Sequence, residues 1–89
     1  MTKVVLYAFD NLFKVKDVRF VNENEATETV LRDIAQAIVD NSPAIINAVY
    51  AIKDRAGLRE DFMEAVKGDF TDKILFEDMV SREGVRLTA

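Results

Sequence analysis

The chain contains no cysteine, no histidine and no tryptophan, one proline and three glycines. Without cysteine there is no disulfide and no thiolate nucleophile, and without histidine the usual acid–base group near neutral pH is missing. The same two absences remove the commonest ligands of structural zinc. Serine occurs at positions 42 and 81 alone; Ser42 precedes Pro43, where a helix cap is expected, and has no imidazole to activate it. Gly57, Gly68 and Gly84 stand apart rather than in a phosphate-cradling cluster. Asp69-Phe70-Thr71-Asp72-Lys73 lacks the alternating ligands and central glycine of a calcium loop. These gaps predict no catalytic residue, no cofactor and no metal, and hence a non-enzymatic protein.

Long apolar runs and surplus positive charge are also missing. The longest uncharged stretch, residues 41–52, is well short of the roughly 20 residues that cross a bilayer. Met1-Thr2-Lys3 leads into six apolar residues rather than a secretory signal, so a cytoplasmic location without membrane attachment is expected. Twelve basic groups face sixteen acidic ones, for a net charge of −4. Residues 1–21 carry four basic and two acidic groups, residues 22–41 one and five, residues 42–57 two and one, and residues 58–89 five and eight. Phosphate binding depends on clustered Lys and Arg, so this balance disfavours nucleic acid.

What is present is enough for one small core. The chain has 89 residues, 49% of them hydrophobic and 31% charged. A chain of this size buries only about 60–65% of its unfolded surface, which makes support from a partner plausible. We read residues 1–89 as a single α+β domain: an N-terminal β-hairpin packed on three to four short α-helices, with residues 85–88 available as a short C-terminal strand. The hairpin is placed at 3–21, with a first strand apolar on both faces and a half-solvated second strand. Helices are predicted at 23–41, 43–56, 58–67 and 71–83. The first start rests on a capping box at Asn22 and Glu25, the second on Ser42-Pro43, and the stops on Gly57, Gly68 and Gly84. The expected inward residues are Leu58, Phe62, Ala65 and Val66 on the third helix and Ile74, Leu75, Met79 and Val80 on the fourth.

Three roles follow from the surface such a fold would show. An acidic helical face, Glu60, Asp61 and Glu64 with Met63 among them, is the candidate contact for a basic protein partner of unknown identity, the chain acting as an inhibitor or adaptor of a larger protein. Surplus apolar surface at Ile46 and Tyr50 on the second helix, or along a free edge of the first strand, predicts a homodimer or higher oligomer. A second reading is a DNA-binding regulator using residues 54–67. That segment places a Gly-containing turn between two helices, and with Gly84-Val85-Arg86-Leu87 it loosely resembles the tail of phage-repressor-type helix-turn-helix domains over about a third of the chain. The outward acids Glu60, Asp61 and Glu64 oppose phosphate contact in that arrangement. A third reading is a small-ligand sensor with a pocket between hairpin and helices, lined by Tyr7, Phe9, Phe20 and Tyr50.

Overall fold

The structure, a computed structural model, describes residues 2–88. Strand β1 (Lys3–Phe9) and strand β2 (Val15–Asn22) form the N-terminal hairpin, with Leu6 opposite Arg19 and Tyr7 opposite Val18. Strand β3 (Ala48–Lys53) pairs antiparallel on the other side of β1, and the two-residue β4 (Val85–Arg86) pairs with β3, in the order β2-β1-β3-β4. Helix α1 (Glu28–Asn41) covers one face of this sheet, while α2 (Leu58–Lys67) and α3 (Phe70–Glu83) cover the other. The α+β class, the N-terminal hairpin and the short C-terminal strand are as expected, and the described residues form three α-helices.

Sandwiching the sheet explains why β1 is apolar on both sides. Successive strand side chains point to opposite faces. Val5, Tyr7 and Phe9 enter a core with Leu58, Ala65, Phe76 and Val80, whereas Leu6 and Ala8 enter a second core with Ala35, Ile38 and Leu87. Strand β3 splits in the same way, Ala48, Tyr50 and Ile52 to the first core, Val49 and Ala51 to the second. Five successive apolar residues are thereby buried without any of them facing water.

The helix expected at 43–56 is therefore corrected: residues 48–53 are strand and residues 43–47 belong to no helix. A helix over this run would need apolar neighbours around most of its circumference, whereas a strand beside β1 meets an apolar layer on each face. The start signal has another use. Ser42 closes α1, its N–H donating to Ile38 O at 3.0 Å, and its hydroxyl accepts from Ala44 N–H at 3.2 Å in a local turn. Pro43 thus follows a helix end rather than opening a helix, which its fixed φ and missing N–H equally allow. Gly57, read as a stop, instead sits at φ 90° immediately before α2, a left-handed conformation that favours glycine.

The first helix also starts later than predicted. Residues Glu23–Glu25 make one 3-10 turn without a side-chain cap from Asn22, and the working cap of α1 is Thr27, whose hydroxyl accepts from Val30 N–H at 3.2 Å. Helix α3 is capped by a reciprocal pair: Asp72 N–H donates to Asp69 Oδ1 and Asp69 N–H to Asp72 Oδ2, each at 3.2 Å. Its buried residues are Phe76 and Val80, with Ile74 and Met79 partly buried; Leu75, expected inward, is 61% exposed. On α2, Leu58 and Ala65 are buried and Phe62 is half-buried, but Val66 is exposed.

Aromatic rings fill the space between sheet and α2–α3. Phe76 meets Tyr7 edge-on at 5.2 Å between centroids, Phe62 at 5.7 Å and Phe9 at 6.1 Å, while Phe9 meets Tyr50 at 5.9 Å. Burial, helped by the Asp54 charge and opposed by Arg59, pushes the Tyr7 phenol up to about 12 from its ordinary 10.0. The folded chain thus holds this proton where the unfolded chain has lost it. The resulting stability is present below about pH 10 and disappears as pH rises toward the folded value. Tyr7→Phe is expected to change the urea midpoint little at pH 8 and to lose less stability than the parent between about pH 10 and about pH 12. Identical alkaline slopes for the two proteins would show that Tyr7 does not carry this dependence.

Candidate protein-docking surface

The outer face of the α2–α3 pair brings the acidic helix and an exposed apolar strip together. Gly68 and Asp69 are the whole connection between the two helices, so α3 runs back alongside α2. At 100° per residue, the inward stripe Leu58, Phe62 and Ala65 leaves Glu60, Asp61 and Glu64 as neighbours on one outer flank. Asp61 and Glu64, with Asp72 from α3, rim a groove of about 200 Å³ whose other walls are Ala65, Leu75, Phe76 and Met79. Asp61, Glu64, Asp72 and Leu75 are all exposed.

Arg55, on the turn that follows β3, stands near Asp61 and Met79. Its guanidinium pairs with Glu83 at 3.2 Å and Asp61 at 3.7 Å, and one N–H reaches Met79 Sδ at 3.6 Å. The bond to Glu83 holds the Arg55 charge more firmly than usual. Arg55 therefore offsets part of the Asp61 charge, whereas Glu60 and Glu64 have no ion-pair partner among the described residues. Nearby, Tyr50 OH donates to Glu77 Oε1 at 3.1 Å; burial first, and then this carboxylate, push the phenol pKa upward.

All four expected partner-binding residues are exposed on α2, but not all of them reach the groove. Asp61 and Glu64 line the groove, whereas Met63, three residues from Glu60 and beside it, lies farther round the helix and does not line it. Asp72, Leu75 and Met79 complete the groove; Leu75 and Met79 were expected inward on the last helix, and none of the three was among the expected partner-binding residues. They lie on α3, and the angle at which α3 meets α2 is a tertiary property.

The expected self-association pair is also separated. Ile46 is partly buried against the α1-side core, while Tyr50 is 7% exposed and belongs to the core on the other face. Spacing of four residues would align them on a helix; with residues 48–53 in a strand that alignment is lost. Nor has β1 a free edge, since it pairs with β2 and β3. Tyr7, Phe9 and Tyr50, proposed as pocket walls, are interlocked core rings, and Phe20 sits apart on β2, half-exposed beneath the Arg59 guanidinium at 5.0 Å. The turn region 54–57 has strand rather than helix before it, so the expected helix-turn-helix is replaced by a strand-turn-helix.

A smaller recess opens at the hairpin tip, about 80 Å³ between Phe13, Lys14 and Val15 of the loop side and Phe62, Val66, Lys73 and Phe76 of the helices. Phe13 adopts φ 59°, a left-handed conformation uncommon for an aromatic residue, and its ring lies 6.1 Å from that of Phe70. Asp10 Oδ1 secures this loop by accepting from Leu12 N–H and Lys14 N–H, each at 2.9 Å. Among the described residues, no three acidic side chains are gathered closely enough to hold a metal ion, and no helix is long and apolar enough to cross a membrane. Compared with known proteins, the chain matches no family model, no curated protein and no solved structure.

Proposed function

We propose that this chain is a non-enzymatic protein-interaction module whose α2–α3 groove receives a basic, partly apolar segment of a larger protein, which it inhibits or links to another. The observation that carries this reading is the joining of three exposed carboxylates, Asp61, Glu64 and Asp72, to an apolar wall containing the 61%-exposed Leu75. Carboxylates on a groove rim steer cations and reject anions, and an exposed leucine beside them contributes area once water is excluded. Glu60 extends the acidic rim along α2. The same charges oppose a nucleic-acid phosphate, so the protein reading fits this face better than the DNA reading.

Changing Glu60, Asp61 and Glu64 together to lysine is expected to leave the circular dichroism spectrum and melting cooperativity intact, because all three are exposed. Binding of a fluorescein-labelled Lys/Leu amphipathic peptide should weaken by at least about tenfold, consistent with exposed charge contacts of about 0.2–1 kcal/mol each and the added repulsion. Unchanged affinity in anisotropy titrations would discard this face.

A further inference from the structure

Strand β2 is the outermost strand of the sheet, and among the described residues no strand pairs with its outer edge. It is eight residues long, against two for β4 at the opposite edge. Glu23 N–H donates to Thr2 O at 3.1 Å, which sets the alternation of the antiparallel ladder. Val21, Arg19 and Asp17 bond inward to β1, so the backbone groups of Phe20 and Val18 point outward. Only one of these outward donors is occupied nearby: Val18 N–H donates to Asp17 Oδ1 at 2.8 Å. Phe20, on the same face as Val18, remains 48% exposed.

We infer that β2 is the edge through which two copies of this chain join, antiparallel about a two-fold axis at Val18, into one continuous eight-stranded sheet. The order of charges selects both occupant and register. With Val18 opposite the second copy's Val18, Asp17 faces the second copy's Arg19 and Arg19 faces its Asp17, two opposite-charge pairs produced by one strand meeting itself. On the far side of the axis the β-bulge opposite Ala8 and Phe9 interrupts the regular alternation, and Lys16 lines the α1-side cleft together with Asp17 and Arg19. Centring the axis one residue either way would set Arg19 against Arg19 or Asp17 against Asp17, and like charges directly opposite destabilise a strand pair. Within one chain Arg19 already reaches Asp17, at 3.2 Å, with both side chains partly exposed. Pairing exchanges this contact and the Asp17 bond to Val18 N–H for their equivalents across the axis, where the Val18 amide and carbonyl take ladder partners. A cleft of about 120 Å³ between Lys16, Asp17 and Arg19 and the 41–43 turn leaves room for the incoming side chains.

The test is sedimentation equilibrium of the full chain over about 1 to about 300 µM, a range that brackets weak to moderate self-affinity. A species of twice 10.1 kDa should accumulate with concentration. Asp17→Arg and Arg19→Asp should each weaken dimerisation by about tenfold or more, and the double swap Asp17→Arg with Arg19→Asp should restore it to within about threefold, because the swapped charges again face their opposites. Val18→Pro is compatible with an edge position whose N–H points outward and should yield a folded monomer. A chain that stays at 10.1 kDa throughout, or a dimer indifferent to both single reversals, would overturn the inference. So would a dimer that the double swap fails to restore while circular dichroism shows native folding. None of these changes touches the α2–α3 groove, so peptide capture there stands or fails separately.

Discussion

Phe76→Ala is expected to remove about 3–5 kcal/mol of stability, the usual cost of deleting a buried ring and leaving its cavity. Phe76 is 5% exposed and within 5.2–6.1 Å of the Tyr7, Phe62 and Phe9 rings, so it holds α3 against α2 and both against the sheet. A domain of 89 residues has in total about 4–13 kcal/mol to lose. The variant should therefore unfold near or below physiological temperature. Phe76→Leu, which keeps most of the volume, should cost roughly 1.5 kcal/mol. Urea titrations followed by circular dichroism measure both; a loss below about 1 kcal/mol for the alanine variant would mean that the aromatic cluster is not the main tie between the helices and the sheet.

Gly84→Ala is expected to cost about 1–3 kcal/mol for a different reason. Gly84 joins α3 to β4 with its N–H donating to Val80 O at 2.8 Å. Its φ of −110° is open to any residue, so conformation does not require glycine here. Space does: a Cβ would meet the Ala51 carbonyl, and the Val80 carbonyl at 2.8 Å, both of them backbone atoms with little freedom to yield. Relief has to come from moving β4 away from β3, which opens the sheet edge at Tyr50 and Ala51. Hydrogen exchange should show the amide of Leu87, bonded to Val49 O, losing protection more than those of β1. Gly57→Ala offers the contrast, since the added Cβ would meet only Arg55 Nη1 at 3.5 Å but would carry a residue at φ 90°, at a cost of about 1–2 kcal/mol. Native protection at Leu87 in a stable Gly84→Ala protein would contradict the steric account.

Periodicity was most informative where one element satisfied its own signals. The six apolar residues of β1 read as a strand because they are β-branched and aromatic and end at Asp10-Asn11, and α2 because its apolar positions recur at helical spacing before Gly68. It misled at residues 43–56 because Ser42-Pro43 fits both the end of one helix and the start of another, and because 48–53 declares itself a strand only when β1 lies beside it. The choice of Phe76 over Leu75 is tertiary in the same sense. Ile74, Leu75, Phe76, Met79 and Val80 span most of the circumference of α3, and only the position of the sheet decides which of them are inward.

The α2–α3 groove was legible by half. Glu60, Asp61 and Glu64 follow from the apolar stripe opposite them, whereas Asp72, Leu75 and Met79 join them through the two-residue connection that brings α3 back along α2. Phe13 left a fainter mark: the short hairpin loop ends in a left-handed residue where a glycine is usual, and no glycine occurs between residues 1 and 56. The left-handed backbone of Phe13 is held by the Asp10 bonds to the neighbouring amides and by the ring's contact with Phe70, a local cost of about 1–3 kcal/mol carried by the rest of the fold.

The central claim, that an acidic groove on α2–α3 captures a basic segment, is tested most directly by mapping where such a segment touches the wild-type chain. Isotope-labelled protein titrated with the unlabelled Lys/Leu peptide should show backbone amide shifts concentrated at Asp61, Glu64, Asp72, Leu75 and Met79, reduced by added salt and absent with a Glu/Leu peptide of equal length. Shifts of similar size with both peptides, or shifts gathered at the hairpin tip while the groove stays silent, would contradict the account.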